Sequence, residues 1–538
     1  LLLSFMLVGF AAPTAAQSVD STKLEAMAPR AIGPAGMSGR VTAIEAVASN
    51  PDIVYAGTAS GGLWKSTDGG TTWTPIFDDQ PVHSIGSIAI DQDNPDVIWV
   101  GTGEGNPRNS QNAGDGVFRS MDGGRTWTRV GLRGTRSIHR LLIHPDDADV
   151  AYAGAQGATW GPTPERGVYK TTDGGANWEQ ILFVNDTTGV ADLVMDPQNP
   201  NKLIAAMWQY QRWPYYFKSG GPGSGLYMTF DGGESWKELT PEDGLPPKPW
   251  GRIGLAIAPS DPSRVYAYVE SEDNALYRSD DGGHSWRRVN SDMDEIGGRP
   301  FYYADLRVDP ANENRLYSLH SIVTVSEDGG ESFETLVPYA GVHPDHHAWW
   351  IHPDDPSLIY EGNDGGFYIS RDRGENWRFV ENLPLAQFYH INVDMATPYH
   401  VYGGMQDNGS WRGPHAVWRS GGIRNAYWQE VAFGDGFDVV PDPQDATKGY
   451  AMSQGGNLVY YDSETGHQRF SKPTPPDPDT DLRFNWDAAI AQSPHDPATV
   501  YYGSQFVHKS TDRGHTWTIL SPDLTTNNPA WQRQLESG

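Results

Sequence analysis

The stretch STDGGTTW, residues 66–73, decides the fold, because close copies of it recur along the chain. Its pattern is Ser or Thr, any residue, Asp, two residues that are mostly Gly, any residue, then Ser, Thr or Asn, and an aromatic residue. The pattern occurs at eight places, centred on Asp68, Asp122, Asp173, Asp231, Asp281, Asp328, Asp372 and Asp512. Repetition of this kind indicates an architecture built from one repeated supersecondary unit.

Each copy lies inside a longer unit whose other segments also repeat. In chain order, the unit has an apolar strand, a turn such as NPD, a second strand such as DIVYAGT, a loop, a third strand such as GLWKS, the box itself and a fourth strand such as TWTPI. Four short strands with Gly-rich and Asp-rich turns predict a four-stranded antiparallel sheet. Because Asp can accept hydrogen bonds from the turn while Gly adopts positive φ, we interpret the box aspartates as structural residues.

The spacing of the boxes sets the number of units. The first seven boxes are 44 to 58 residues apart, and the 140 residues between Asp372 and Asp512 leave room for two units without a box. The sequence therefore predicts an all-β fold, a β-propeller of about ten four-stranded blades. Seven regular units favour a seven-bladed propeller over residues 18–383 and the start of a second propeller over residues 384–538. A single ten-bladed ring is the alternative.

The repeat resembles the Asp-box (BNR) repeat of sialidases, of sortilin-type Vps10 domains and of two-propeller xyloglucanase-like glycosidases, over residues 36–520. The resemblance implies the propeller fold, but propellers with these blades serve as hydrolases, receptors and assembly factors. Sortilin-type domains are normally followed by a Cys-rich module, and this chain contains no Cys. That departure weakens the receptor interpretation.

Composition bounds the cellular setting and the partners. Acidic residues outnumber basic ones by 68 to 39, and a net charge of -29 repels phosphate backbones, so no nucleic acid partner is expected. The first residues, LLLSFMLVGFAAPTAAQ, are typical of a signal peptide over residues 1–17. No later stretch is long and apolar enough to span a membrane. The sequence therefore predicts a secreted or periplasmic protein.

Two sets of loops share one face of a propeller, opposite the Asp boxes: the loops that lead into the innermost strands and the loops between the second and third strands. Polar and aromatic residues on these loops would surround the mouth of the channel. The predicted binding residues are Arg40, Trp208, Trp213, Tyr215, His346, His347, Tyr389, His390, Asp435, Asp438, Trp486 and Asp487. The predicted ligand is a polysaccharide, whose rings could stack on the aromatics, or alternatively a peptide or protein.

Two aspartates are predicted to be catalytic. The segment NDGGFYIS resembles the Asp-x-Gly-Gly-aromatic loop that carries a catalytic carboxylate in xyloglucanase-like glycosidases, which makes Asp364 a candidate. The first blade has Ser60 at the matching place, so it cannot contribute the same acid. Glycoside hydrolysis generally uses two carboxyl groups, and Asp407, one blade later, is the second candidate, with Asp435 and Asp438 as rivals. Turn-capping is the alternative role for both aspartates, and a noncatalytic binding propeller is the alternative function.

Two further kinds of site have partial support in the sequence. The run HPDHHAWWIH, residues 343–352, contains common metal ligands, but adjacent residues of a strand point to opposite faces, so only one of His346 and His347 could enter the channel. We therefore expect no metal or other cofactor. In a sialidase-like site, a cluster of Arg side chains holds the carboxylate of the substrate, and Arg40, Arg136 and Arg252 are available for that role. The Arg-Ile-Pro-type signature of sialidases, however, is not visible in the sequence.

Overall fold

The computed structural model describes Met27 and residues 30–34, 36–214 and 216–531. All the sheets lie within the unit Gly33–Gly538. The predicted signal peptide, residues 1–17, and Tyr215 lie outside the described residues. In the described part, no helix combines the length and the apolar character needed to cross a membrane.

The described residues form ten antiparallel sheets of four strands that pair in chain order, and the fourth sheet has one additional strand. This arrangement confirms the prediction of an all-β propeller with about ten four-stranded blades. Blades 8 and 9 lack the box but keep the four strands, because the alternation of apolar residues that pairs the strands is independent of the box turn.

The strands follow one another with few helices between them. Blades 1 to 3 contain β1 (Val41–Val47), β2 (Asn50–Thr58), β3 (Leu63–Ser66), β4 (Thr74–Pro75), β5 (Ile85–Ile90), β6 (Ile98–Thr102), β7 (Val117–Ser120), β8 (Thr128–Gly131), β9 (Ile138–His144), β10 (Asp147–Ala155), β11 (Gly167–Thr171) and β12 (Glu179–Leu182). Blades 4 and 5 contain β13 (Thr188–Asp196), β14 (Asn199–Trp213), the additional β15 (Tyr216–Ser219), β16 (Gly225–Thr229), β17 (Lys237–Leu239), β18 (Ile253–Ile257), β19 (Val265–Val269), β20 (Ala275–Ser279) and β21 (Arg287–Asn290).

The remaining blades continue the same order. Blades 6 and 7 contain β22 (Asp305–Asp309), β23 (Asn312–Leu319), β24 (Val323–Ser326), β25 (Glu334–Val337), β26 (His346–Ile351), β27 (Ile359–Asn363), β28 (Gly366–Ser370) and β29 (Arg378–Phe379). Blades 8 to 10 contain β30 (Phe388–Val393), β31 (His400–Met405), β32 (Ser410–Pro414), β33 (Gln429–Ala432), β34 (Gly436–Asp442), β35 (Asp445–Ser453), β36 (Asn457–Asp462), β37 (His467–Phe470), β38 (Ile490–Gln492), β39 (Val500–Gly503), β40 (Val507–Ser510) and β41 (Thr518–Ile519). Helical segments are α1 (Met293–Ile296) and 3-10 turns at Arg133–Thr135, Pro241–Asp243, Asn425–Tyr427, Gln454–Gly456 and Pro529–Trp531.

The Asp box is a turn held by its own side chains. In the first blade, Asp68 Oδ1 accepts hydrogen bonds from Ser66 Oγ and from the backbone N–H of Thr72, both at 2.8 Å. Asp68 Oδ2 accepts from Thr72 Oγ1 at 2.7 Å. Hydrogen bonds of the same kind from Thr126 lower the pKa of Asp122 to about 2. The box aspartates are therefore committed to the turn between the third and fourth strands.

In three of the eight boxes, the aromatic residue donates a hydrogen bond to the preceding blade. The indole N–H of Trp127 donates to the carbonyl of Ile76 at 2.7 Å, and that of Trp178 donates to Val130 at 2.8 Å. Trp517 makes the equivalent bond to Ser471 at 2.9 Å. Each bond contributes roughly 0.5–1.5 kcal/mol in addition to the burial of the ring.

Contacts between inner strands show the order of the blades. Successive inner strands β1, β5, β9, β13, β18, β22 and β26 contact their neighbours, and β26 of blade 7 also contacts β1 of blade 1. Across that junction, Trp350 Nε1 donates to Glu45 Oε1 at 2.9 Å, and the hydroxyl of Tyr360 donates to the carbonyl of Pro51 at 2.8 Å. In blades 8 and 9, β30 contacts β34. On these contacts we propose that the seven blades up to residue 383 form one propeller and that the three blades after it begin a second.

Candidate active site

Asp364 is the centre of a buried ion network. It lies in the two-residue turn between β27 and β28, and its side chain is 1% exposed. Arg40 Nε donates to Oδ1 at 2.6 Å, and Arg108 Nη1 lies 3.3 Å from Oδ2. Burial alone would raise the pKa of Asp364, but the charge of Arg40 and the hydrogen bond from His347 outweigh burial and hold this pKa well below its usual range. Asp364 is therefore an ionised carboxylate.

His347 contributes the third contact to Asp364. The side-chain amide of Asn106 lies 2.8 Å from His347 Nδ1, and because the amide nitrogen can only donate, Nδ1 accepts. The ring proton is then on Nε2, which donates to Asp364 Oδ1 at 2.8 Å. Gly365 makes the tight turn possible, since a Cβ at this position would lie 2.3 Å from the ring of His343.

Asp407 is the accessible member of the network. It occupies the turn after β31 with a φ of 60°, and its backbone N–H donates to Asp435 Oδ1 at 2.7 Å. Its side chain is 18% exposed, and its carboxyl group lies within 4.8 Å of those of Asp364 and Asp345. The sequence prediction thus placed Asp364 and Asp407 on separate blades, and the fold brings them together.

Burial and the negative charge of Asp364 raise the pKa of Asp407 well above its usual range. Arg40 and Arg108 oppose this shift from 3.8 and 3.7 Å. Their closer contacts are to other carboxylates, however, because Arg40 lies 3.0 Å from Glu104 and 2.6 Å from Asp364. The arrangement therefore places a carboxyl group whose pKa is raised beside one whose pKa is lowered, which is the pattern that separates an acid from a base in enzyme sites.

Sequence reasoning missed several members of this site. Asp345 is half-buried, has a φ of 68° and places its carboxylate beside Asp364 and Asp407. Glu104 is fully buried against Arg40, and burial raises its pKa. Arg108 donates to the hydroxyl of Tyr302 at 2.5 Å. The sequence signal was present, since Asp345 directly precedes β26 and the segment GEGNPRN carries the other two charges on a loop of the same face.

The histidine run does not converge on one point. His346 Nδ1 lies 2.6 Å from Glu361 Oε1, whereas His347 faces Asp364, as expected for neighbours in a strand. Burial lowers the pKa of His346 to about 3, so His346 is neutral near pH 7, and burial raises the pKa of Glu361 well above its usual range. Within the described residues, two groups could hold a metal ion: the three aspartates at 345, 364 and 407, and the group around His390 described next.

Predicted binding residues of the last three blades also come together. His390 Nε2 lies 2.8 Å from Asp487 Oδ2, and His390 Nδ1 lies 3.8 Å from Asp438 Oδ1. Burial lowers the pKa of His390, but the hydrogen bond to Asp487 and the charge of Asp438 together outweigh burial and raise this pKa. Tyr389 packs on Phe437, with 4.6 Å between ring centroids. Next to this group, the indole of Trp486 is 51% exposed.

Two predicted binding residues are part of the interior. Trp208 is fully buried, stacks on Tyr210 with 4.4 Å between ring centroids and donates its indole N–H to Ser219 Oγ at 3.1 Å. A ring buried on all sides cannot stack on a sugar, which corrects the expectation for Trp208. Arg40 is also buried, so it can act on a ligand only through its carboxylate partners. Trp213 is half-buried beside Tyr216 and stays a prediction.

Fold and site together define a β-propeller with a carboxylate cluster on the loops before β26, after β27 and after β31. The chain is similar to the Sortilin-Vps10 family (sortilin, neurotensin receptor 3), whose model matches residues 115–244. A xyloglucanase from a Paenibacillus species is 23% identical over 399 residues, which cover 66% of this chain and 33% of that protein. A probable oligoxyloglucan-reducing end-specific xyloglucanase from Neosartorya fischeri is 26% identical over 32% of this chain and 24% of its own length.

Solved structures give the same fold. An ancestral GH74 enzyme superposes with a TM-score of 0.61 at 16% identity, covering 93% of this chain and 72% of that one. The GH74 xyloglucanase from Xanthomonas campestris superposes with a TM-score of 0.54 at 16% identity, covering 91% and 80%. The chain spans a third or less of the length of the two curated relatives described above.

Proposed function

We propose that this chain belongs to a glycoside hydrolase that acts on a polysaccharide through the carboxylate cluster. The observation that carries the proposal is that Asp407, with a raised pKa, lies within 4.8 Å of Asp364, whose pKa is lowered. Glycoside hydrolysis needs one carboxyl group that is protonated and one that is ionised. The names of the similar proteins, which are xyloglucanases, support a polysaccharide as the substrate class.

The exposures of the three aspartates suggest a division of roles. Asp407 would protonate the leaving oxygen, because its pKa is raised and its side chain reaches solvent. Asp345, which is also half-buried, would provide the second carboxyl group on the sugar side. Asp364 is 1% exposed and would act as a positioning residue that fixes Arg40 and raises the pKa of Asp407. The sequence-based proposal that Asp364 itself acts on the sugar requires that its turn open.

The test is release of reducing ends from a panel of neutral and uronate-containing polysaccharides by the chain and its variants. The Asp407→Asn variant should lose about 100-fold or more in rate, since general acid catalysis contributes roughly 10²–10⁴-fold. Asp68→Asn, in the first Asp box, is the control and should keep the rate of the unchanged chain. Full activity of a folded Asp407→Asn variant would overturn the role of Asp407.

The burial of Asp364 also favours a second function, a noncatalytic propeller that binds a glycan or a peptide. A carboxylate held by Arg40, Arg108 and His347 resembles a structural ion pair as much as a catalytic group. Binding of polysaccharide without any release of reducing ends would support this alternative. In both cases we propose that the protein works outside the cytoplasm, on the strength of the apolar segment at residues 1–17.

A further inference from the structure

A separate cavity of about 300 Å³ lies between blades 2 and 3. It is bordered by the loops that follow β6 and β10 and by the segment that leads into β9, which belong to the same face as the carboxylate cluster. Its polar and aromatic lining includes Gln111, Asn112, Arg136, Thr159 and Trp160. The volume is at the lower end of the usual range for ligand pockets, which suits one sugar unit rather than a long chain.

Arg136 is held in an unusual backbone conformation beside this cavity. Its φ is 64° and its ψ is -38°, and the N–H of Ser137 donates to the carbonyl of Thr135 at 2.7 Å, which closes a three-residue γ-turn of the rare positive-φ type. The carbonyl of Arg136 is fixed by the N–H of Gly114 at 2.6 Å. Strained residues of this kind persist where surrounding structure holds them and are concentrated at functional sites.

The side chain of Arg136 is available for a ligand. The residue is exposed, and in the part of the chain that the structure describes no carboxylate lies within ion-pair distance of its guanidinium. Arg129 and Arg133, nearby in sequence, both pair with Asp115 instead. Arg136 therefore differs from its basic neighbours in presenting an uncompensated positive charge at the cavity.

An aromatic side chain and amide groups complete the lining. Trp160 is 46% exposed, although Trp is usually buried, so part of its ring is available to a ligand. Gln111 is fixed by hydrogen bonds to Thr159 and to the carbonyl of Glu104, whereas Asn112 is exposed. A guanidinium binds a carboxylate with paired hydrogen bonds, a flat ring covers an apolar sugar face, and amides bind hydroxyl groups.

One loop connects the cavity to the carboxylate cluster. Glu104 and Arg108 belong to the cluster, Ser110 Oγ donates to Gln406 Oε1 at 2.8 Å next to Asp407, and Gln111 reaches the cavity. A ligand chain that lies along this loop could occupy both places.

We propose that the cavity is a subsite for a uronic acid unit of the polysaccharide, with Arg136 binding the sugar carboxylate and Trp160 covering the ring. The inference rests on the proposed function and narrows its substrate to chains that carry acidic sugars. The net charge of -29 repels such chains at long range. Repulsion of this kind is screened beyond about 8 Å at physiological salt, whereas the contact with Arg136 acts at close range.

The test is calorimetric binding of trigalacturonate and of a neutral trisaccharide, cellotriose, at physiological salt. The chain should bind trigalacturonate more tightly, and Arg136→Gln should weaken that binding about tenfold or more, as expected for a lost charge-assisted hydrogen bond. Cellotriose binding should be unchanged in Arg136→Gln. Trp160→Ala should weaken binding of both trisaccharides, because ring contact does not depend on the carboxylate.

Arg133→Gln is the matched control, because it removes the same charge three residues earlier from a side chain that is 73% exposed. It should change trigalacturonate binding by less than about twofold. Equal losses in the Arg136→Gln and Arg133→Gln variants, or no preference for trigalacturonate, would overturn the subsite. So would equally tight binding of an acidic tripeptide, which would indicate a general carboxylate site.

Binding is measured without hydrolysis, so failure of the subsite and failure of the proposed hydrolase are distinguishable. Suppose that Asp407→Asn still binds trigalacturonate and that the chain releases no reducing ends from any polysaccharide. The subsite would then be retained and the hydrolase rejected. Reducing-end release from neutral polysaccharides without trigalacturonate binding would do the reverse.

Discussion

Replacing Asp364 with Asn should destabilise the chain by about 3 kcal/mol. Asp364 and Arg40 are each 1% exposed and lie 2.6 Å apart, and removing one partner of such a buried pair typically costs roughly 3–5 kcal/mol. We expect the lower end of that range because Glu104 remains 3.0 Å from Arg40 and partly compensates its charge. Urea denaturation near pH 7, followed by Trp fluorescence, measures the free energy of unfolding.

The control is Asp149→Asn, which removes an ion pair of similar length, 2.7 Å to Arg119, from a carboxylate that is 59% exposed. That change should cost about 1 kcal/mol or less, since exposed pairs are solvated and screened. The Arg40→Gln/Asp364→Asn double variant should cost less than the sum of the single changes. Additive costs, or a loss below about 1 kcal/mol in Asp364→Asn, would refute the assignment of a coupled buried pair.

Three further outcomes are expected. The pKa of Asp364 is lower in the folded chain, so its contribution to stability is present above about pH 4 and is lost as the pH falls through the folded pKa. Urea midpoints measured between about pH 2 and 6 should therefore vary less with pH in Asp364→Asn than in the unchanged chain. Trp127→Phe should lower the free energy of unfolding by about 1 kcal/mol, measured in urea, by removing the bond to Ile76. In NMR titrations, the pKa of His390 should lie above the usual value of about 6.5, and this pKa should fall in Asp487→Asn. The contribution of His390 to stability is present below about pH 6.5 and is lost as the pH rises through the folded pKa.

The fold was predictable because its signal is local and repeated. Box turns such as that at Asp68 show their residue types directly in the sequence, and each turn depends on hydrogen bonds within five residues. The two blades without a box were predictable only from chain length. The pairing of Trp127 with the preceding blade was not predictable in detail, since the sequence does not specify which backbone carbonyl its indole meets.

The site was predictable only in part because it joins residues far apart in the chain. Asp364 and Asp407 were identified from their loops, but their closeness depends on how blades 7 and 8 pack. Arg108 and Asp364 are 256 residues apart in sequence, a contact that no local pattern reveals. Trp208 was misjudged because β14 continues past it to Trp213 and pairs with β15, and that extension buries the Trp208 ring.

The most direct test of the account is the pH dependence of kcat/KM for reducing-end release from a soluble polysaccharide by the folded chain. We predict a decline on the alkaline side at a pH well above the usual carboxyl pKa of about 4, reporting deprotonation of Asp407, and loss of this activity in Asp407→Asn. The absence of release at every pH from a folded chain that binds the polysaccharide would contradict the account and favour a binding propeller.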